Sequence, residues 1–317
     1  MKSKNNNYAL IYFISSIFMY GVGFSSIFKL CKNDSWIVIL IGFIITLIFL
    51  KTYKKIINKN NNIIKIINIC FILLISMMIL RILTTSFYLT KTPGLIITIP
   101  FMMLAIYSSN KGINVINKIS NVLFIFSILT ITLNLFASTK TGSIDMFIPI
   151  LKTNKLKLLK GIFYYICYIL SPLILVSKVD IENKTYNKIY IFSNIFLIFI
   201  SLIITFVLGP NLMSIYRFPE YMIFKEINLF GFVENVENLV GLIYYINLFI
   251  TSSLCLYNIK SITKNKYSLY IISFITLFIT EFVSINYKYS LIIYEHLPYI
   301  LFSFILINIF IYIIKKE

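Results

Sequence analysis

Apolar residues fall along this chain in long blocks separated by short polar connections. Most blocks approach the roughly 20 residues that a helix needs to cross a bilayer. Ten spans are predicted, at about 8–28, 36–50, 63–88, 94–107, 119–137, 161–176, 189–208, 232–259, 267–285 and 291–314. Lys51, Lys54, Lys55 and Lys59 follow the second. The fourth begins after Thr92-Pro93, is short, and contains Pro100. A polar loop covers 138–160, and Gly209-Pro210 is expected to end the seventh span and open the longest polar connection.

The first span carries an interruption, Tyr20-Gly21-Val22-Gly23-Phe24-Ser25-Ser26. Each glycine costs a helix about 1 kcal/mol relative to alanine. Glycine also lets the backbone bend and approach other groups closely. Inside a bilayer an opened backbone is tolerated only against protein or a wet cavity. Two readings follow: a discontinuous helix that exposes backbone groups to a ligand, or close helix packing through small residues.

The ten spans divide into two halves of five, about 8–137 and 161–314. Five is odd, so the halves have opposite topology. The first span of the second half, the sixth overall, is interrupted by Ser171-Pro172, and proline removes an intrahelical hydrogen bond. Interrupted spans at matching places in inverted halves point to a transporter-type binding site. This favours the ligand reading of the first interruption.

Composition settles the class. The chain is 59% hydrophobic and only 13% charged, with mean hydropathy +0.89. A soluble domain carries about 25% charged residues, so this is an all-α polytopic membrane protein with no separate large soluble domain. The net charge of +18 does not signal nucleic acid, because the basic residues sit in short loops between apolar runs. With the N-terminus inside, the inner segments carry 17 Lys and Arg and the outer loops 11, Arg81 being the remainder. Both termini are therefore expected on the cytoplasmic side. Cys31, Cys70, Cys167 and Cys255 are scattered and read as small hydrophobes rather than a disulfide or metal framework. The first apolar run lacks a small-residue cleavage site and is expected to remain as a span.

Few residues in the spans carry chemistry. Arg81 lies inside the third span, where a charge is costly and faces a cavity or a partner. It either contacts a carboxylate, of ligand or protein, or snorkels to the interface. Glu234 and Glu237 share a helix face and could anchor a proton, cation or partner, or simply favour the positive start of the eighth helix. Glu281, Glu295 and His296 lie at span ends, where solvated residues are the rule. A single histidine excludes a histidine-rich metal site, and no HExxH, GxSxG or Walker pattern occurs; neither enzymatic activity nor a cofactor is expected. Around the interruptions, Tyr20, Phe24, Ser25, Tyr168 and Ser171 could line a pocket, although Tyr168 reads rather more readily as a packed aromatic. Broken helices offer N–H donors to a carboxylate and C=O acceptors to an ammonium, which suits a zwitterionic amino acid.

Several stretches, in order, resemble one family. They are Gly21-Val22-Gly23-Phe24, then Lys32-Asn33-Asp34-Ser35-Trp36-Ile37, Leu80-Arg81, Thr92-Pro93, and Asn110-Lys111-Gly112-Ile113-Asn114-Val115-Ile116-Asn117-Lys118. Asp145 with Pro149-Ile150-Leu151, Leu159-Lys160-Gly161, Arg217-Phe218-Pro219, Ile227 and Gly231-Phe232-Val233-Glu234-Asn235-Val236-Glu237 continue the series. Together they are similar to the spore germination permeases, the membrane-embedded B subunits of nutrient germinant receptors, within the amino acid–polyamine–organocation superfamily. The chain departs from the pattern at Asn235, where the family usually has Arg, and at Ile82, where an acid often follows the third-span Arg. The resemblance implies a LeuT-like ten-helix fold with a five-plus-five inverted repeat. It implies a ligand site at unwound helices one and six, around Gly21, Gly23 and Pro172. It also implies a role in sensing a small nutrient in the spore inner membrane, with a germinant receptor A subunit and a C lipoprotein as partners. The alternative on the same fold is a proton- or sodium-coupled secondary amino acid transporter in the cell membrane.

Overall fold

The computed structural model describes residues 8–138, 142–179, 183–223 and 237–315. The chain is all-helical, 90% helix, with no strand among the described residues. The elements are α1 (Tyr8–Ser16), α2 (Phe24–Cys31), α3 (Ser35–Lys59), α4 (Asn62–Leu83), α5 (Gly94–Lys111), α6 (Ile113–Ser138), α7 (Lys155–Leu170), α8 (Asn183–Ile215), α9 (Pro219–Met222), α10 (Glu237–Thr263), α11 (Lys266–Ile285) and α12 (Tyr287–Ile314). A π-helical segment, Met19–Gly23, joins α1 to α2, and a 3₁₀ segment, Ser171–Lys178, continues α7. Asparagine starts several of the helices. The side chains of Asn61, Asn154, Asn265 and Asn286 each accept a hydrogen bond from the backbone N–H two residues on, satisfying a donor that the first turn leaves open.

Eight segments among the described residues are long and apolar enough to cross a membrane. The first, Tyr8–Lys59, has 52 residues, more than twice the length of one crossing. It is divided at Lys32–Asp34, where Lys32 turns the chain at φ 45°.

The distribution of side chains is that of a protein solvated by lipid. On α11, Phe274, Phe278 and Phe282 recur every fourth residue and are 73%, 67% and 68% exposed. In water such a stripe would be an aggregation surface; against acyl chains it costs nothing. Small polar groups are turned inward instead and bond between helices. Ser15 Oγ donates to Ser193 Oγ at 2.8 Å (α1 to α8), Asn247 Nδ2 to Ser16 Oγ at 2.9 Å (α10 to α1), Ser108 Oγ to Ser253 Oγ at 2.6 Å (α5 to α10) and Tyr165 O–H to Asn194 Oδ1 at 2.6 Å (α7 to α8). The first two of these bonds pin α1, just before the helix break, to α8 and α10.

Several boundaries differ from those predicted. The lysines after residue 50 do not end the second span; α3 runs on to Lys59 because Tyr53 and Ile57 still face the core. Gly209-Pro210 does not end the seventh span either. Gly209 takes φ 67°, ψ 174°, a kink, and Pro210 then starts a further helical stretch to Ile215, since proline fits the first turn of a helix. The interruption of the sixth span proves to be a change of helix type rather than an opening. Ser171 keeps helical angles (φ −59°, ψ −45°), and Pro172 sits at the start of the 3₁₀ segment, where its missing N–H is no loss.

Candidate functional site

The break in the first helix is a true opening. Tyr20 is extended (φ −73°, ψ 125°) and Gly21 takes φ 92°, ψ −25°, a conformation that costs side-chain-bearing residues about 1–2 kcal/mol. A Cβ on Gly21 would also lie 2.9 Å from Ile79 Cγ2 on α4. The helix recovers at once, with Gly23 N–H donating to Phe18 O at 2.7 Å and Phe24 N–H to Met19 O.

An opened turn frees backbone groups, and several of these find partners within the protein. Val22 O accepts from Ser25 Oγ at 2.9 Å and from Ser26 Oγ at 2.7 Å. Ser26 is also 3.0 Å from the Tyr168 hydroxyl on α7. The Gly21 N–H finds its acceptor much farther along the chain. It donates to Glu220 Oε1 at 2.8 Å, and the Tyr244 hydroxyl of α10 donates to the same oxygen. Glu220 is the second residue of α9, a four-residue helix begun by Pro219. It is buried, and its other oxygen, Oε2, has no hydrogen-bond partner. Burial pushes its carboxyl up to about 7, and the Tyr244 and Gly21 donors offset only part of that rise. The site thus holds a carboxylate on a helix break, in surroundings dry enough to make the negative charge costly.

A cavity of about 450 Å³ adjoins the break, lined by Gly21, Val22, Ser25, Ser26, Tyr216 and Tyr294 among others. Its rim is charged. Lys29 Nζ lies 3.8 Å from Glu295 Oε1, and the Arg217 guanidinium is stacked 4.9 Å from the Tyr294 ring. The volume suits a small organic solute.

Of the residues predicted around the interruptions, Gly21 and Ser25 line this cavity, and Tyr168 reaches the same region through Ser26. The others are packed elsewhere. Tyr20 lies edge-on against Phe24 and Tyr244, and Phe24 is stacked on Phe28. A side chain on Gly23 would collide with the Phe18 carbonyl, 2.8 Å from its Cβ position. Ser171 and Pro172 are buried and do not line the cavity. Glu234 lies outside the described residues, as does the side chain of Glu237.

Arg81 has a protein carboxylate. Its Nε donates to Glu281 Oε2 at 3.0 Å and its Nη1 to Ser284 O at 2.9 Å. Thr98 Oγ1 donates to Glu281 Oε1 at 3.4 Å. Gly94, without a side chain, lets the start of α5 close over the pair. Glu281 is therefore buried in an ion pair, not solvated at a span end as expected, because α11 turns it towards α4. Two further acids matter: Glu220 escaped the sequence, while Asp34 entered it only within the Lys32–Ile37 stretch that carries the resemblance. Glu220 follows the Arg217-Phe218-Pro219 motif directly; an acid beside a helix-starting proline was its only local signal. Asp34 is buried and accepts from Leu151 N at 2.6 Å and Thr153 N at 2.9 Å, while Thr153 Oγ1 donates to Cys31 O at 2.9 Å. The four cysteines are free, and no metal-binding cluster of His, Cys, Asp or Glu occurs among the described residues.

The family model described as spore germination protein matches residues 8–289 of the chain. The chain belongs to that family. It is a germination-related permease, and with its apolar helices an integral membrane protein. No curated protein matches it significantly. Family membership gives the helix break a context, for the segments that build it, 19–26, 168 and 214–220, all fall within the matched range.

Proposed function

We propose that this spore germination protein is the B-type membrane subunit of a nutrient germinant receptor. It binds a small nutrient, an amino acid, at the break in its first helix, and passes the event on to an A subunit and a C lipoprotein in the spore inner membrane. On this reading ten spans form two inverted halves of five, with both termini in the cytoplasm. The observation that carries the reading is the cavity of about 450 Å³ whose wall is the opened backbone at Gly21 and Val22, in a member of this family. Backbone donors and acceptors at a helix break match the two charges of an amino acid.

The test is a thermal-unfolding screen of the purified protein against the twenty amino acids, since a ligand that binds only the folded state raises the melting temperature. One or a few should stabilise, and the same ones should fail to trigger germination in a deletion strain. Ser25→Trp, which fills the cavity, should remove the stabilisation. A screen in which no amino acid acts, on protein or spore, would sink the reading. One observation favours a second reading, proton-coupled amino acid transport: a buried carboxyl at the break with one oxygen unpartnered is suited to carrying a proton. Concentrative, pH-driven uptake into proteoliposomes would decide for transport over sensing.

A further inference from the structure

Gly21 is approached from two directions. From one, Glu220 Oε1 accepts its hydrogen at 2.8 Å, with the Tyr244 hydroxyl as a second donor to the same oxygen. From the other, Gly21 forms part of the wall of the cavity, behind which Glu220 and Tyr244 lie without lining it. A carboxylate that served only to cap the break would be expected to use both oxygens or to leave one in water. Glu220 does neither: Oε2 is buried and makes no hydrogen bond. Taking a carboxylate out of water with half its acceptor capacity unused is unfavourable. The element that carries it is short, although Phe218 and Tyr221 pack it against Phe87. α9 has four residues, and Tyr221 and Met222 both donate to the single carbonyl of Phe218.

We propose that the Gly21 N–H and the Tyr244 O–H form a carboxylate-binding position, held in this structure by the chain's own Glu220, and that a free carboxylate from the cavity takes that position when Glu220 withdraws. Glu220 is then a tethered competitor. Occupation by a ligand and displacement of α9 are two sides of one equilibrium, so a ligand favours the withdrawn arrangement by its preference for the vacated donors. The proposal rests on the receptor reading only in taking the natural carboxylate to be that of an amino acid; the position itself rests on the two donors, the unpartnered oxygen and the cavity.

The test uses formate as probe, at fixed ionic strength against chloride, on the full-length protein in detergent. Glu220→Ala vacates the position, and formate should raise its melting temperature in a saturable way, while the wild type, already occupied, does not respond. Glu220→Gln keeps the shape but replaces a charged acceptor with a weaker neutral one, so formate should act on it too, at higher concentration. If the alanine variant does not fold, the glutamine variant decides. Variants that respond to formate no more than the wild type overturn the proposal, even if amino acids stabilise the wild type. A formate response in the variants, with no amino acid effect on any form, upholds the carboxylate position and removes the amino acid reading.

Discussion

Replacing Gly21 by alanine tests the geometry of the break, and its cost can be worked in two parts. The first is conformational: φ 92° is disfavoured for a residue with a Cβ, by about 1–2 kcal/mol. The second is steric. The new methyl group would stand 2.9 Å from Ile79 Cγ2, and Ile79 is buried, so it has little room to move; overpacking of this kind costs about 1–3 kcal/mol. Gly21→Ala should therefore destabilise by about 2–5 kcal/mol. The two parts separate in a double-mutant cycle. Ile79→Ala removes the Cγ2 atom, at its own cost of about 2–5 kcal/mol. In that background Gly21→Ala should retain only the conformational part, leaving a favourable coupling of about 1–3 kcal/mol between the two sites. The assay is reversible unfolding in mixed detergent micelles for the four proteins of the cycle. A Gly21→Ala variant within about 0.5 kcal/mol of wild type, the range of an ordinary surface change, would show that Gly21 does not take a positive φ and that the break is not opened there. A full cost with no coupling to Ile79 would leave the opening but refute the packing of α4 against it.

Three further outcomes follow from individual contacts. Glu281→Gln leaves the Arg81 guanidinium, 14% exposed at its side chain, without its counter-charge and should cost about 3 kcal/mol in unfolding; Arg81→Met with Glu281→Leu should recover most of that, because both charges leave together. Stability of the wild type should fall as pH rises: burial sets the Glu220 carboxyl at about 7 in the folded protein against an ordinary 4.5, so its contribution is fully present below about 4.5 and is lost as pH climbs through the interval to about 7, a total of roughly 3 kcal/mol at most, and melting curves of Glu220→Gln should lack this slope. Asp34→Asn retains one acceptor oxygen for the two backbone donors Leu151 and Thr153 and should cost about 1–3 kcal/mol, read as faster proteolysis within 148–154.

The break itself was legible because its signal is local: two glycines and two serines inside an apolar run are enough to mark residues 20–26. The blocks of apolar sequence were legible for the same reason. Glu220 was not, because what makes it matter is a bond to an amide 199 residues earlier, and nothing in the polar connection around it records which helix it meets. Glu281 misled for a related reason. Its position near a span end suggests water, but the partner that buries it, Arg81, comes from a helix 200 residues away in sequence. Prolines misled in the other direction. Ser171-Pro172 and Gly209-Pro210 look like interruptions, yet in both places proline begins a new stretch of helix, and whether a proline closes a helix or opens one depends on the backbone angles of the residue before it. Gly209 at φ 67° kinks the chain; Ser171 at φ −59° does not.

The Asp34 contacts change what the connection before α7 is able to do. A free loop absorbs movement: one end shifts and the slack between takes it up. Here the carboxylate grips the backbone at Leu151 and Thr153, and Thr153 in turn holds the last carbonyl of α2 at Cys31. Two residues farther on α7 begins, and its Tyr168 meets Ser26 of α2 a second time at 3.0 Å. The α2 segment is therefore braced to α7 at both ends, as two rails joined by two rungs. A tilt of α2 about the opening at Gly21 is carried to α7 as a tilt of the same sense. The short stretch from 151 to 154 serves as a strut between α2 and α7.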